Sequence, residues 1–179
     1  MERDDVLTGP RVDLRPFTLE DVAAVLAYAS DPEVTRHLQW EAYDDPETAA
    51  AFIRSTATGG ETWFARAIVL RDAGTVIGGA DLRIVSPPDR RAELGYGLGR
   101  PYWGHGYATE AASLLVRFGF EHLGLTRIQA LCAVDNARSM RTLERLGMHR
   151  EGRLEQYRWK GGAAHDLWLY ALTRAAWRR

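Results

Sequence analysis

Residues 91–110 read RAELGYGLGRPYWGHGYATE, and the change of character along this stretch decides the fold. It begins as an alternation. Ala92, Leu94, Tyr96 and Leu98 fall on one face of a strand and Glu93, Gly95, Gly97 and Gly99 on the other, because successive side chains point to opposite faces. One face is apolar; the other is nearly bare, with Glu93 alone on it. Glycine inside a strand costs stability and marks a bulge or a place where a ligand or another backbone comes close. The segment GHGYAT, residues 104–109, then opens an amphipathic helix. The N–H groups of a first helical turn lack intrahelical partners and sit at the positive end of the dipole, so this turn is a ready anion site.

Upstream of the stretch, Trp63 to Leu70 and Thr75 to Val85 are β-rich runs joined by RDAG, which reads as a hairpin turn. SPPDRR separates them from the glycine-faced strand, so the three runs predict an antiparallel meander. Farther back, Val12 to Phe17 reads as a short strand. Thr18 and Asp21 are spaced to cap the helix LEDVAAVLAYAS, and Asp31-Pro32 predicts a further helical turn. Asp45-Pro46 opens a helix from Pro46 to Thr58 that stops at Gly59-Gly60.

Downstream, Ala108, Ala111, Ala112, Leu115 and Phe118 keep helical spacing between Tyr107 and Leu123, and Gly124 closes that helix. Arg127 to Val134 is the next strand, so strand, helix and strand imply a right-handed crossover with parallel pairing. Asn136 is placed to cap the helix ARSMRTLERLG. Runs around Met148 to Lys160 and His165 to Thr173 predict a final hairpin about KGGA.

A chain of 179 residues, 46% hydrophobic and 26% charged, predicts a single domain over 1–179. A net charge of -1 disfavours nucleic acid as the main partner. The single Cys132 cannot form an internal disulfide, no apolar run is long enough for a membrane span, and the start MERDDVLTGP lacks an apolar signal region. The expected setting is the cytoplasm, with no membrane partner. His37, His122, His149 and His165 are scattered without metal-ligand spacing, so no metal site is expected, and no G-x-S-x-G elbow points to a hydrolase. The order GYGLG is not the G-x-G-x-x-G of a dinucleotide fold, its neighbours look antiparallel, and the Gly-Lys-Ser/Thr of a Walker loop is missing. A turn with no ligand at all remains open.

WGHGYATEA after a strand containing AELGYGL, followed beyond the next strand by DNARSMRTLERLGM, closely resembles the GNAT superfamily of acyl-CoA N-acyltransferases. YWGxGYATEA and NxxSxxxLExLG are similar to its RimJ/RimL branch, which acetylates protein N-terminal amines and related small-molecule amines. The resemblance runs from LRPFTLED to the last strand pair. It implies the GNAT fold: α/β (α+β mixed), a twisted mixed sheet of about seven strands with helices on both faces, and a splayed strand pair holding the cofactor.

The resemblance also implies site residues. The family's pyrophosphate turn falls on Trp103, Gly104, His105, Gly106, Tyr107 and Ala108, with Thr109 next in the helix. Trp103 stands where Gln or Arg is general, which leaves backbone N–H groups to hold the phosphates. Tyr96, Gly97 and Leu98 would meet the pantetheine arm of acetyl-CoA. Glu93 would be the general base, since an ammonium must lose a proton before it attacks; an ordinary surface carboxylate is the other reading. Asn136 and Ser139 share a helix face; by spacing they are a cap and a first-turn residue, and by resemblance a cofactor amide contact and the acid that protonates the thiolate. Tyr157 and Tyr170 compete for that acid role. Arg138, Arg141 and Arg145 make a basic stripe, of which Arg141 is the choice for the ribose phosphate of coenzyme A. His37, Leu38, Trp40, Tyr43, Tyr157 and Trp159 would wall the acceptor site, or serve only as a hydrophobic lid.

The expected activity is acetyl transfer from acetyl-CoA to a primary amine, a protein N-terminal α-amine or a small-molecule amine, by direct attack in a ternary complex. A non-catalytic acyl-CoA-binding or protein-interaction member of the fold, a longer donor such as succinyl-CoA, and a nicotinamide-dependent oxidoreductase stand as alternatives. A homodimer is common among proteins this chain resembles.

Overall fold

The computed structural model describes residues 6–58 and 60–177, the Glu61 side chain excepted. In chain order the elements are β1 (Leu7–Thr8), β2 (Val12–Arg15), α1 (Val22–Ala29), α2 (Pro32–Thr35), α3 (Pro46–Thr58), β3 (Trp63–Leu70), β4 (Thr75–Ser86), β5 (Arg91–Leu98), α4 (Tyr107–Glu121), β6 (Arg127–Ala133), α5 (Ala137–Arg145), β7 (His149–Lys160), β8 (Ala163–Thr173) and α6 (Arg174–Trp177). Gly59, half of the expected stop after α3, lies outside the described residues.

Among the described residues, one mixed sheet of eight strands runs in the order β1-β2-β3-β4-β5-β6-β8-β7. The expectation of about seven is corrected by β1, a two-residue strand pairing Leu7 with Leu14 and too short to leave a period in the sequence. β2 ends at Arg15, before Pro16 and two positions short of the expected Phe17. The meander β3-β4-β5 is antiparallel, and β5-α4-β6 is the expected parallel crossover.

Each face of the sheet carries its own apolar layer. Ala111, Ala112, Leu115 and Phe118 of α4 pack with Leu82, Leu94 and Ile128 on one side. On the other, Val25 and Ala29 of α1 and Ile53 of α3 pack with Ala65 and Ala67 of β3. Small residues on β3 let these helices come close, and their apolar spacing follows the helical period. The caps read from the sequence form as well. Thr18 and Asp21 make a capping box, Asp31 accepts from the Glu33 N–H at 2.9 Å, and Asp45 accepts from the Thr48 N–H at 2.9 Å.

One irregularity positions the site. Strand β5 pairs with β6 only from Arg91–Arg127 to Glu93–Gln129. Beyond that point β5 stays with β4 through Leu98, and β6 stays with β8 through Ala133. The parallel pair therefore parts after Glu93, and a gap opens between the two halves of the sheet.

The connection between α2 and α3 is tied down over this gap by the last hairpin. The Lys160 ammonium donates to the carbonyls of Thr35 at 2.5 Å, Leu38 at 3.1 Å and Trp40 at 2.7 Å, and Arg158 donates to the His37 carbonyl at 3.2 Å. Three carbonyl acceptors match the three N–H bonds of an ammonium.

Candidate active site

Two cavities open on the gap. One, of about 650 Å³, runs from Leu98 along the start of α4 to the first turns of α5. The other, of about 430 Å³, lies under the α2–α3 connection on the bare face of β5. Six residues line both: His37, Leu38, Tyr96, Gly97, Asn136 and Ser139.

The first cavity has a backbone turn suited to an anion, with arginines across from it. Gly104 and Gly106 both have φ of 83°, a left-handed backbone that only glycine adopts without strain. Gly106 is the N-cap of α4 and offers no side chain, so the first-turn N–H groups stay open. Tyr107, Ala108 and Thr109 line the cavity there, facing Arg36, Arg138, Arg141 and Arg145.

The open edge of β5 continues the track. The Gly99 N–H donates to Ile77 on β4 at 2.9 Å. Backbone N–H groups alternate between the two edges of a strand, so those of Leu98 and Tyr96 face the gap. Trp103 explains its departure from the family's polar residue. Its indole N–H donates to the Leu98 carbonyl at 2.8 Å, and the Arg138 guanidinium lies 4.6 Å above its ring, tying the strand edge to α5.

An unforeseen brace holds the phosphate turn. Arg11, between β1 and β2, donates from its backbone and side chain to Glu110 at 2.7 and 2.8 Å, and from a terminal nitrogen to the His105 carbonyl at 2.9 Å. The Val12 N–H also reaches Glu110, at 3.0 Å. Burial opposes the Glu110 charge, but these bonds outweigh it and hold the carboxyl below its ordinary 4.5. Such a group stabilises the fold fully above its unfolded value and loses that contribution as pH falls through the lowered folded value. Glu110→Gln is therefore expected to cost about 2 kcal/mol at pH 7, the usual worth of charged hydrogen bonds. In urea melts, the difference from wild type should close as pH falls below 4.5.

At the junction of the cavities, Asn136 caps α5 through its oxygen, accepting from the Ser139 N–H at 3.1 Å. Its –NH2 group is the part left for a ligand. The Ser139 hydroxyl lies 2.9 Å from the Tyr96 hydroxyl. Burial pushes the Tyr96 phenol well up, and the Ser139 bond only partly offsets it, so the phenol stays protonated. Tyr96 is thus the tyrosine beside Ser139. Tyr170 is buried with its hydroxyl on Glu144 at 3.4 Å, and Tyr157 is exposed; neither lines a cavity.

Glu93 lines the second cavity, directly across from Arg83 and within 3.4 Å of the Gln129 amide. His37, Trp40 and Tyr43 line it as expected, with Phe17, Tyr28, Phe52 and Trp63 completing an aromatic wall. Trp159 and Tyr157 instead point outward. A bulge between Leu154 and Arg158, with Gln156 at φ 49°, resets the alternation of β7 and turns Arg158 inward. His105 lies outside both cavities; its ring stacks on Tyr107 at 5.7 Å. Asp81, Arg83, Arg158 and Arg11 escaped the sequence reading. Only Asp81 left a signal, a carboxylate within an alternating strand.

The sheet opens beyond Glu93 onto a cavity with an anion-ready turn and, adjoining it, an aromatic cavity. The family model for the acetyltransferase (GNAT) domain matches residues 11–149, and the chain belongs to that family. It is 34% identical over 174 residues to the uncharacterized N-acetyltransferase YoaA of Bacillus subtilis, covering 94% of this chain and 97% of the relative. It is 29% identical over 108 residues to a ribosomal-protein-serine acetyltransferase of Escherichia coli, 60% of each chain. The fold matches Mycobacterium smegmatis RimJ, whose structure is a complex with CoA-disulfide, at a TM-score of 0.86 and 24% identity over 95% of this chain and 88% of that one. The protein is therefore an acetyltransferase of the GNAT family. Among the described residues, no helix is long and apolar enough to cross a membrane.

Proposed function

We propose that the protein transfers an acetyl group from acetyl-CoA to a primary amine by direct attack, with both substrates bound together. The observation that carries this reading is the shared lining. Two cavities meeting at His37, Leu38, Tyr96, Gly97, Asn136 and Ser139 let donor and acceptor touch without a covalent enzyme intermediate. Arg141, at the cavity's basic end, faces the ribose phosphate, and the left-handed turn at 104–106 cradles the pyrophosphate.

Acetyl-CoA supplies an activated acyl group as a thioester. The protein's own part is proton handling and charge placement. Glu93 takes the proton that the ammonium must lose. The N–H groups of Leu98 and Tyr96, on the open edge of β5, face charge developing on the carbonyl oxygen. Ser139 gives its hydroxyl proton to the leaving sulfur, with the Tyr96 phenol behind it at 2.9 Å.

The acceptor is a protein or peptide α-amine, a reading supported by the ribosomal-protein-serine acetyltransferase name of the Escherichia coli relative, or a small amine of like charge. A buried, unpaired Cys132 suits the reducing cytoplasm where acetyl-CoA is made. The test is thiol release from acetyl-CoA across a panel of N-terminal peptides and small amines. We expect release with at least one member, slowed about 10-fold or more by Ser139→Ala. Absence of release from every acceptor, in protein that binds acetyl-CoA by calorimetry, overturns the reading.

A further inference from the structure

Asp81 is the carboxylate that the proton-transfer scheme leaves without a task. It sits on β4 directly opposite Gly95, on the same face as the Arg83–Glu93 and Gly79–Gly97 pairs on either side. Each step of two residues along a strand is roughly 7 Å. Asp81 therefore lies midway between the base, Glu93, and the part of β5 where the two cavities join.

Its surroundings are unusual for a structural carboxylate. One oxygen accepts from the Trp63 indole N–H at 2.8 Å. The other faces Gly95, where a Cβ would overlap it, so the bare position on β5 is what gives this oxygen room. Burial pushes the carboxyl up, the Trp63 bond and Arg83 favour its ionised form, and Glu93 opposes it. Arg83 is itself engaged, 5.0 Å from the Trp63 ring, and Arg158 donates to the His37 carbonyl at 3.2 Å. A half-satisfied carboxylate in an aromatic cavity lacks one cation.

We propose that Asp81 seats the acceptor's ammonium, fixing its nitrogen between Glu93 and the open edge of β5. This rests on the acetyl-transfer reading above and names what selects the acceptor: a group cationic before reaction, a primary ammonium, enclosed by aromatic faces that favour cations. The buried Trp40 indole N–H has no partner among the described residues and lines the same cavity, so it is placed to donate to an oxygen of the same acceptor. Asp81 is a positioning residue; the proton still goes to Glu93.

Asp81→Asn tests this, because the carboxamide oxygen keeps the Trp63 bond while the charge is lost. KM for the best amine of the panel is expected to rise at least 10-fold, with kcat reduced far less, and calorimetric Kd for acetyl-CoA to stay within twofold. Direct amine binding, read as quenching of tryptophan fluorescence, should weaken in parallel. Gly95→Ala, which displaces the carboxylate, should raise the same KM, and the double variant should be no worse than the poorer single one. If Asp81 serves only to hold Trp63, Asp81→Asn leaves KM unchanged and Trp63→Phe disturbs the cavity instead; that result overturns the inference and leaves the acetyl-transfer reading standing. A wild-type protein that acetylates no amine overturns both.

Discussion

Replacing Glu93 by glutamine is expected to lower kcat by roughly 10²- to 10⁴-fold, the usual worth of a positioned general base. The side chain keeps its size and can still meet the Gln129 amide, now 3.4 Å away, so neither the strand nor the gap should change. Calorimetric Kd for acetyl-CoA should stay within twofold, because Glu93 lines the acceptor cavity and is absent from the lining of the donor one. Full activity of the glutamine variant at every pH would remove Glu93 from the mechanism and move the search for a base to the solvent.

The second large effect is on donor binding. Gly106→Val puts a β-branched side chain where φ is 83°, a conformation that costs such residues about 1–3 kcal/mol. A Cβ there would also stand 3.4 Å from the Arg11 guanidinium, so the brace to Glu110 resists a simple shift of the turn. The backbone relieves the strain by rotating, and the N–H groups at the start of α4 swing away from the phosphates. Calorimetry should show acetyl-CoA bound roughly 10- to 100-fold more weakly, each tenfold being about 1.4 kcal/mol. Gly104→Ala is the milder comparison. Its φ is also 83°, but nothing lies within 4 Å of the added carbon, so it bears the backbone cost alone.

These two variants probe the parts of the site that the sequence showed most clearly. The glycine face of residues 93–99 and the GHGYAT turn were readable because period-two alternation and helix-start chemistry are local. The same holds for α3, whose bounds Pro46–Thr58 follow from an N-cap aspartate and a proline at the first position. Interactions between distant residues left no such trace. Arg11 and Glu110 are 99 positions apart, and neither carries a pattern that points to the other. Asp81 went unremarked within a β-rich run, and its place appears only when register sets it against Gly95. Tyr157 and Trp159, placed in the acceptor wall by resemblance alone, point outward because the bulge with a positive φ at Gln156 resets which residues of β7 face the gap.

The three carbonyls gathered on Lys160 have a thermodynamic consequence. The loop they hold contributes His37 and Leu38 to both cavities, and His37 lies 3.2 Å from Asp135 at the head of α5. Held by these bonds, a wall shared by both cavities is in place before any ligand arrives, so the cost of ordering it is met in folding and not in binding. The last hairpin, most of which lies beyond residue 149 where the family match ends, thus pre-organises the junction of the two cavities.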